Sequence, residues 1–149
     1  MCARYFEEFD VGDRLTFGPR TITGEDIADF TRRMGVTKSI FRDPEAAAKA
    51  GFSAMVAPGP LTLAVALTLT HAMIEDPGVI ILLELSKAKF PNPLRHGDTI
   101  SNTVEIVAKR ATSKPKWGIL TLQDRATNQD GQVVCECERL VMVERRPDG

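Results

Sequence analysis

The stretch APGPLTLAVALTLTHAMIEDPG, residues 57–78, constrains the fold more than any other part of the chain. It reads as a helix of about 16 residues from Pro60 to Glu75, ~24 Å long at 1.5 Å per residue. Its apolar residues fall almost all the way round, and such a helix must be buried on most of its sides. The chain beyond it is strand material: VIILLELSKAKF, DTISNTVEIVAKRATS, WGILTLQDRATNQ and QVVCECERLVMVER, separated by PNP, SKPK and the turn signal NQDG. With LTFGPRTIT ahead of the helices, at least five strands are expected. A sheet that curls around the one apolar helix covers it as no flat packing would, so the predicted class is α+β, an antiparallel sheet wrapped around a long central helix.

Two shorter helices precede the central one. In TITGEDIADFTRRMG, Thr23 stands three residues before Asp26, the spacing of a capping box, and Ile27, Phe30 and Met34 recur at helical intervals. In DPEAAAKAG, Asp43 is placed to cap, Pro44 suits the first helical position and Gly51 falls where a left-handed cap closes the helix. The seven residues Gly35–Phe41, GVTKSIF, join the two helices and contain no carboxylate and no imidazole.

The bulk numbers exclude several classes. A chain of 149 residues with 43% hydrophobic content is enough for one domain, 1–149, with its own core. A net charge of -1 gives no footprint for nucleic acid. Cys2, Cys135 and Cys137 lack the number and spacing of a disulfide framework or zinc site, and reduced thiols in a cytoplasm are expected. Cys135 and Cys137 lie two apart in a strand, share a face and are read as small packed hydrophobes. MCARYFEEFD has no apolar signal core and LTLAVAL is interrupted by threonines and His71, so neither secretion nor membrane insertion is predicted. MCA and RRPDG are read as loose ends.

Certain stretches carry a family resemblance: YFEEFDVGDRLTFGPRTITGEDIADF at the start, DPEAAAKAGF and APGPLTL in the middle, then PNPLRHGDTI, TNQDGQVVCE and the closing ERRP. On these the chain resembles the MaoC-like dehydratases, the hot-dog-fold group that includes the (R)-specific enoyl-CoA hydratases. The resemblance implies a ligand that is an acyl thioester of coenzyme A or of an acyl carrier protein. It also implies reversible addition of water across a 2,3 double bond, and at least a homodimer whose tunnel is completed across two protomers. No cofactor and no metal are expected. The chemistry needs a base to activate water, an acid to protonate the alpha carbon, and an amide at the central helix to polarise the carbonyl.

The family signature Gly-Asp-x-Asn-Pro-x-His, laid without a gap, falls on Gly35 to Phe41. Val36 then stands in place of the carboxylate, Lys38 in place of the asparagine, Ser39 in place of the proline and Phe41 in place of the imidazole. Neither Val36 nor Phe41 can move a proton, and one positioned acid or base contributes about 10²–10⁴-fold. Where the family commonly reads Ala-His-Gly-Met-Leu, this chain has Ala57-Pro58-Gly59-Pro60-Leu61. Pro60 lacks an amide proton, so carbonyl donors are expected from Gly59 and Leu61. The expected substrate-binding residues are Val36, Lys38, Phe41, Gly59 and Leu61, with no catalytic residue assigned.

Other titratable groups have local roles of their own. His71 is read as a partly buried, hydrogen-bonded packing residue on the central helix, and His96 as part of a surface turn. Asp43 has its capping role, and Glu45 suits a first helical turn. Lys38 and Arg42 flank the place where a thioester would lie and admit phosphate or carboxylate binding. The alternative is solvated surface charge, as for Lys87, Lys89, Lys109, Lys114 and Lys116. A hot-dog thioesterase would place a carboxylate on the central helix, yet Leu61 to Ile74 contains none. Ser53 has no nucleophile elbow and no histidine partner in sequence. Three readings therefore stay open: a thioester binder with a disabled site, a hydratase using unorthodox residues, and a non-catalytic subunit whose partner carries an intact motif.

Overall fold

A computed structural model describes residues 3–147. Its strands are β1 (Arg14–Thr21), β2 (Ile80–Lys89), β3 (Thr99–Ala111), β4 (Trp117–Thr127) and β5 (Val133–Glu144). They form one antiparallel sheet in the order β1-β3-β4-β5-β2. The period-two pattern of the strands explains the layering. Ile100, Val104 and Ile106 of β3, Leu120 and Leu122 of β4, and Val141 and Val143 of β5 are buried, while Glu105, Gln123 and Glu138 alternate with them and reach solvent to differing degrees.

Against the buried face lies α3 (Gly59–Leu69), which continues as a 3-10 turn over Thr70–Met73. The fold is the hot-dog arrangement expected from the sequence. The α-helix is shorter than Pro60–Glu75, and its threonines account for this. The Thr68 hydroxyl donates to the Ala64 carbonyl and the Thr70 hydroxyl to that of Leu67, each at 2.6 Å, and such back-bonds compete with the regular ladder. Leu61, Thr62, Val65, Ala66 and Leu67 are buried, whereas Ala64, Thr68, His71 and Ala72 form an exposed stripe. One side of the apolar helix is therefore open in the single chain.

The two capped helices form as expected. In α1 (Gly24–Met34) the Thr23 hydroxyl accepts from the Asp26 amide and the Asp26 carboxylate accepts from the Thr23 amide, both at 3.0 Å. Ile27 is buried and Phe30 half-buried, but Met34, expected on the same face, is exposed because Gly35 turns the chain away there. In α2 (Pro44–Lys49) the Asp43 carboxylate accepts from the Glu45 amide at 3.0 Å, and Gly51 takes the left-handed φ of 94°.

Two expectations about the surface are overturned. Ala3 is buried and bridges Ile74, and Arg145 and Arg146 bind Glu7 through Nε and the backbone amide, so these residues are not loose. Met1, Cys2, Asp148 and Gly149 lie outside the described residues. Lys109 is not a solvated charge either: its ammonium donates to the carbonyls of Phe6 and Phe9 and stands 4.5 Å from the Phe6 ring centre. The Phe6 carbonyl also accepts from the Phe9 amide at 3.3 Å, and the lysine adds a donor to both carbonyls. Among the described residues, no helix is long and apolar enough to cross a membrane.

Candidate functional site

The approach to α3 is held by the loop before β3. Val56 bridges Arg95, the Ala57 amide donates to the Leu94 carbonyl at 2.7 Å, and the His96 amide donates to the Met55 carbonyl at 2.8 Å. Pro58, at φ -56° and ψ 145°, then caps the helix. Its carbonyl accepts from the amides of Leu61 (2.9 Å) and Thr62 (3.1 Å). Leu61 is therefore not a carbonyl donor, contrary to expectation, because its amide is committed and its side chain is buried with Met55, Ala57 and Val65. Pro60 has no proton to give. The Gly59 amide is the one first-turn donor without an acceptor among the described residues, and a Cβ added at Gly59 would meet nothing within 4 Å. An N–H without an acceptor at the positive end of a helix suits a carbonyl oxygen.

The junction 35–41 is built by backbone bonds. Gly35 adopts φ 71° and the Val36 amide donates to the Thr31 carbonyl at 2.9 Å, closing α1. A 3-10 turn over Ser39–Phe41 comes next, and the Ser39 carbonyl takes the amides of Arg42 and Asp43. Phe41 is half-buried and lines a cavity of about 250 Å³ together with Ala28 and Thr31 of α1, Met55, and the two cations Arg32 and Arg42. Met55 belongs to the same core cluster as Leu61, but neither Gly59 nor Leu61 lines the cavity. Val36 is half-buried and Lys38 exposed, and neither lines it. Of the five expected site residues, Gly59 and Leu61 stand at the start of α3 and Phe41 lines the cavity, with Val36 and Lys38 outside it.

Other titratable groups near this end are engaged elsewhere. His96 lies in an exposed turn, as expected, with its imidazole against Gly24. Asp98 accepts from the Arg95 amide at 2.8 Å and from Gln129 at 2.9 Å. The Ser53 hydroxyl accepts from Arg95 at 2.9 Å. His71 is exposed in the 3-10 turn that follows α3, with no side-chain hydrogen-bond partner among the described residues, which corrects its reading as a partly buried, hydrogen-bonded packing residue. It lies on the open stripe of the helix and lines a shallow cavity with Ile74, Asp76 and Gly78.

A buried polar cluster escaped the sequence reading. Arg139 donates through Nε and Nη2 to both oxygens of Asp124, at 2.7 and 2.8 Å, with the two side chains 2% and 1% exposed. Asn102 donates to Asp124 (3.0 Å) and to the Ala66 carbonyl (2.8 Å), and Arg139 also reaches the Thr70 hydroxyl at 3.0 Å. The cluster ties α3 to three strands and lies between two apolar clusters, one around Leu61 and one around Met73. Strand alternation could have found it, since Asn102, Asp124 and Arg139 fall in phase with Val104, Leu122 and Val141. Cys137 stands beside it, 3.9 Å from the Asp124 carboxylate. Hydrogen bonding to Cys135, then burial, pushes the Cys137 thiol far above its usual range, and both cysteines are buried, as expected of small packed side chains.

Residues 8–127 match the MaoC like domain family, and the chain belongs to that family. It is 27% identical over 143 residues to the beta-methylmalyl-CoA dehydratase of Chloroflexus aurantiacus, covering 95% of this chain and 40% of that protein. It is 35% identical over 89 residues to the 3-hydroxyacyl-thioester dehydratase Z of Mycobacterium tuberculosis, covering 58% of this chain and 59% of that protein. The chain thus spans less than two thirds of either relative. A MaoC-like dehydratase structure from Rhodospirillum rubrum superposes with a TM-score of 0.83 at 28% identity, over 97% of this chain and 99% of that one.

Proposed function

We propose that this protein binds an acyl thioester, of coenzyme A or of an acyl carrier protein, at the start of α3 and does not run the family's Asp/His hydration. The observation that carries this is the composition of the cavity that Phe41 lines, six residues of which none is a carboxylate or an imidazole, in a chain that keeps a helix N-terminal amide without an acceptor at Gly59. The carbonyl-holding element is kept and the proton-moving pair is replaced by hydrocarbon at Val36 and Phe41. Lys38, exposed, supplies general positive charge near the mouth rather than a contact inside it.

The test adds an enoyl-CoA to the purified protein and follows binding by calorimetry and hydration by loss of enoyl absorbance. Saturable binding without turnover above buffer is expected, and turnover that Gly59 substitution abolishes would refute it in favour of a hydratase with unorthodox residues. The variant carrying Val36→Asp and Phe41→His is expected to gain hydration. A folded double variant with no gain shows that these positions are not the places of the family pair.

A second reading has its own support: the chain spans only 40% of the Chloroflexus dehydratase, leaving room there for another unit of similar size. On that reading a separate chain with an intact motif brings the acid and base, and co-purification from the source cell tests it. Self-association fits either reading. Edge strand β2 exposes Ile81, Leu82 and Leu83 at 45, 49 and 48%, close in sequence to the open stripe of α3, and a second copy would cover both.

A further inference from the structure

We infer that Arg95 is a positioning residue for the thioester site: it touches no ligand and sets the place of the Gly59 amide through Ser53 on one side and Asp98 on the other. The inference rests on the thioester reading above and adds to it the residue that holds the carbonyl donor.

Gly59 stands at the end of an irregular segment, residues 51–58, that leaves α2 and enters α3 without joining the sheet. The backbone contacts of Met55, Val56 and Ala57 all fall on residues 94–96: the Val56–Arg95 bridge, the Ala57 amide on the Leu94 carbonyl and the His96 amide on the Met55 carbonyl. A short bridge outside a sheet opens locally at low cost unless side chains add to it. Arg95 sits in the middle of this one.

Its side chain reaches both ways. Toward the entry segment, Nη1 donates to the Ser53 hydroxyl at 2.9 Å, upstream of the bridge. Toward the sheet, its amide donates to Asp98 Oδ2 at 2.8 Å, and its Nε lies 3.5 Å from the same oxygen. Asp98 is buried, and its other oxygen accepts from the Gln129 side chain at 2.9 Å, while the side-chain oxygen of Gln129 accepts from the Thr99 amide at 2.9 Å. The Asp98 carbonyl accepts from the Ile22 amide and the Ile22 carbonyl from the Gly97 amide, both at 2.8 Å. One guanidinium thus joins the approach to α3 to the end of β1, the start of β3 and the turn between β4 and β5. Its donors lie in one fixed plane, so an Nε held at Asp98 fixes where Nη1 points, which a lysine ammonium cannot do.

The Gly59 amide serves a carbonyl only while its direction is fixed, because hydrogen bonds weaken steeply as they bend. The Arg95 side chain is 27% exposed, so shortening it opens no large void in the core, and its effect on the amide is separable from its effect on the fold.

The experiment measures butyryl-CoA and S-butyl coenzyme A, a thioether that keeps the chain and lacks the carbonyl, by calorimetry. The proteins are the unmodified chain, Arg95→Met, Arg95→Lys, Ser53→Ala, and Arg95→Met combined with Gly59→Pro, with thermal melting on each. The unmodified chain is expected to prefer the thioester by roughly 2–10-fold, the worth of one hydrogen bond. Arg95→Met is expected to bring the thioester down to the level of the thioether, whose own affinity stays, and Arg95→Lys does not restore the preference. Ser53→Ala removes the Nη1 contact alone and lowers the preference in the same direction, which keeps the comparison open if Arg95→Met melts too low to measure. In the Gly59→Pro background, Arg95→Met adds no further loss. A loss of equal size for both probes, or a preference that survives Arg95→Met and Ser53→Ala, overturns this inference and leaves the thioester reading standing. Absence of binding of both probes to the unmodified chain overturns both.

Discussion

Asp124 and Arg139 show how far one residue's role depends on its phase in a strand. Removing the carboxylate leaves a guanidinium that is 2% exposed with only Thr70 to bond. Asp124→Ala is therefore expected to lose about 3–5 kcal/mol in urea unfolding, more than Arg139→Met paired with Asp124→Leu, because an unpaired buried charge costs more than an apolar substitute. Asp26 is a surface counterpart: hydrogen bonding from the Thr23 amide, then the Thr23 hydroxyl and Arg20, holds its carboxyl below the ordinary 3.8. Folding thus weakens proton binding at Asp26, so its contribution is complete above that value and is lost as pH falls through the lowered one. Asp26→Asn is expected to flatten this part of the acid limb, read from thermal melts between neutral pH and pH ~3. Thr23 and Asp26 are legible in the sequence because a capping box is a local pattern. The Asp124 cluster joins residues from three strands, and only the inward phase of each hints at it.

Helices are legible where their signals are local. Caps at Thr23, Asp43 and Gly51 form as expected, while α3 is shorter than its apolar run because hydroxyl back-bonding from Thr68 and Thr70 is not a periodicity signal. The start of α3 offers a surgical test. Pro58 already has ψ 145°, the value a residue before proline prefers, so Gly59→Pro removes the free amide without forcing the backbone. Thioester binding is expected to weaken by roughly 2–10-fold, the worth of one neutral hydrogen bond, with helix content by circular dichroism unchanged. Unchanged affinity would take the carbonyl away from Gly59. That Leu61 spends its amide on Pro58 is not legible, since a proline-rich entry hides which carbonyl bends back.

At the scale of the molecule, the sheet leaves β2 as a long apolar edge. Natural edges of this kind are blunted by charge or covered, and Ile81, Leu82 and Leu83 are exposed here. The double variant Ile81→Lys with Leu83→Lys is expected to sediment as a monomer while the unmodified chain sediments as a dimer. A monomeric unmodified chain would leave the exposed stripe Ala64, Thr68, His71 and Ala72 without a cover. Lys109 belongs to this scale too: a charge expected in solvent instead clamps residues Phe6 and Phe9, a segment about 100 positions away.

The sequence by itself determined the α+β class, the five strands, the capped helices and the family, because each is written in short-range periods and caps or in motifs that sit together in the chain. Only the tertiary structure decided that Gly59 and not Leu61 has a free amide, and that Phe41 lines the cavity, with Arg32 and Arg42, while Val36 closes a helix. Those outcomes depend on which backbone groups and side chains are brought together across the fold, and contacts between residues distant in sequence leave no period to read.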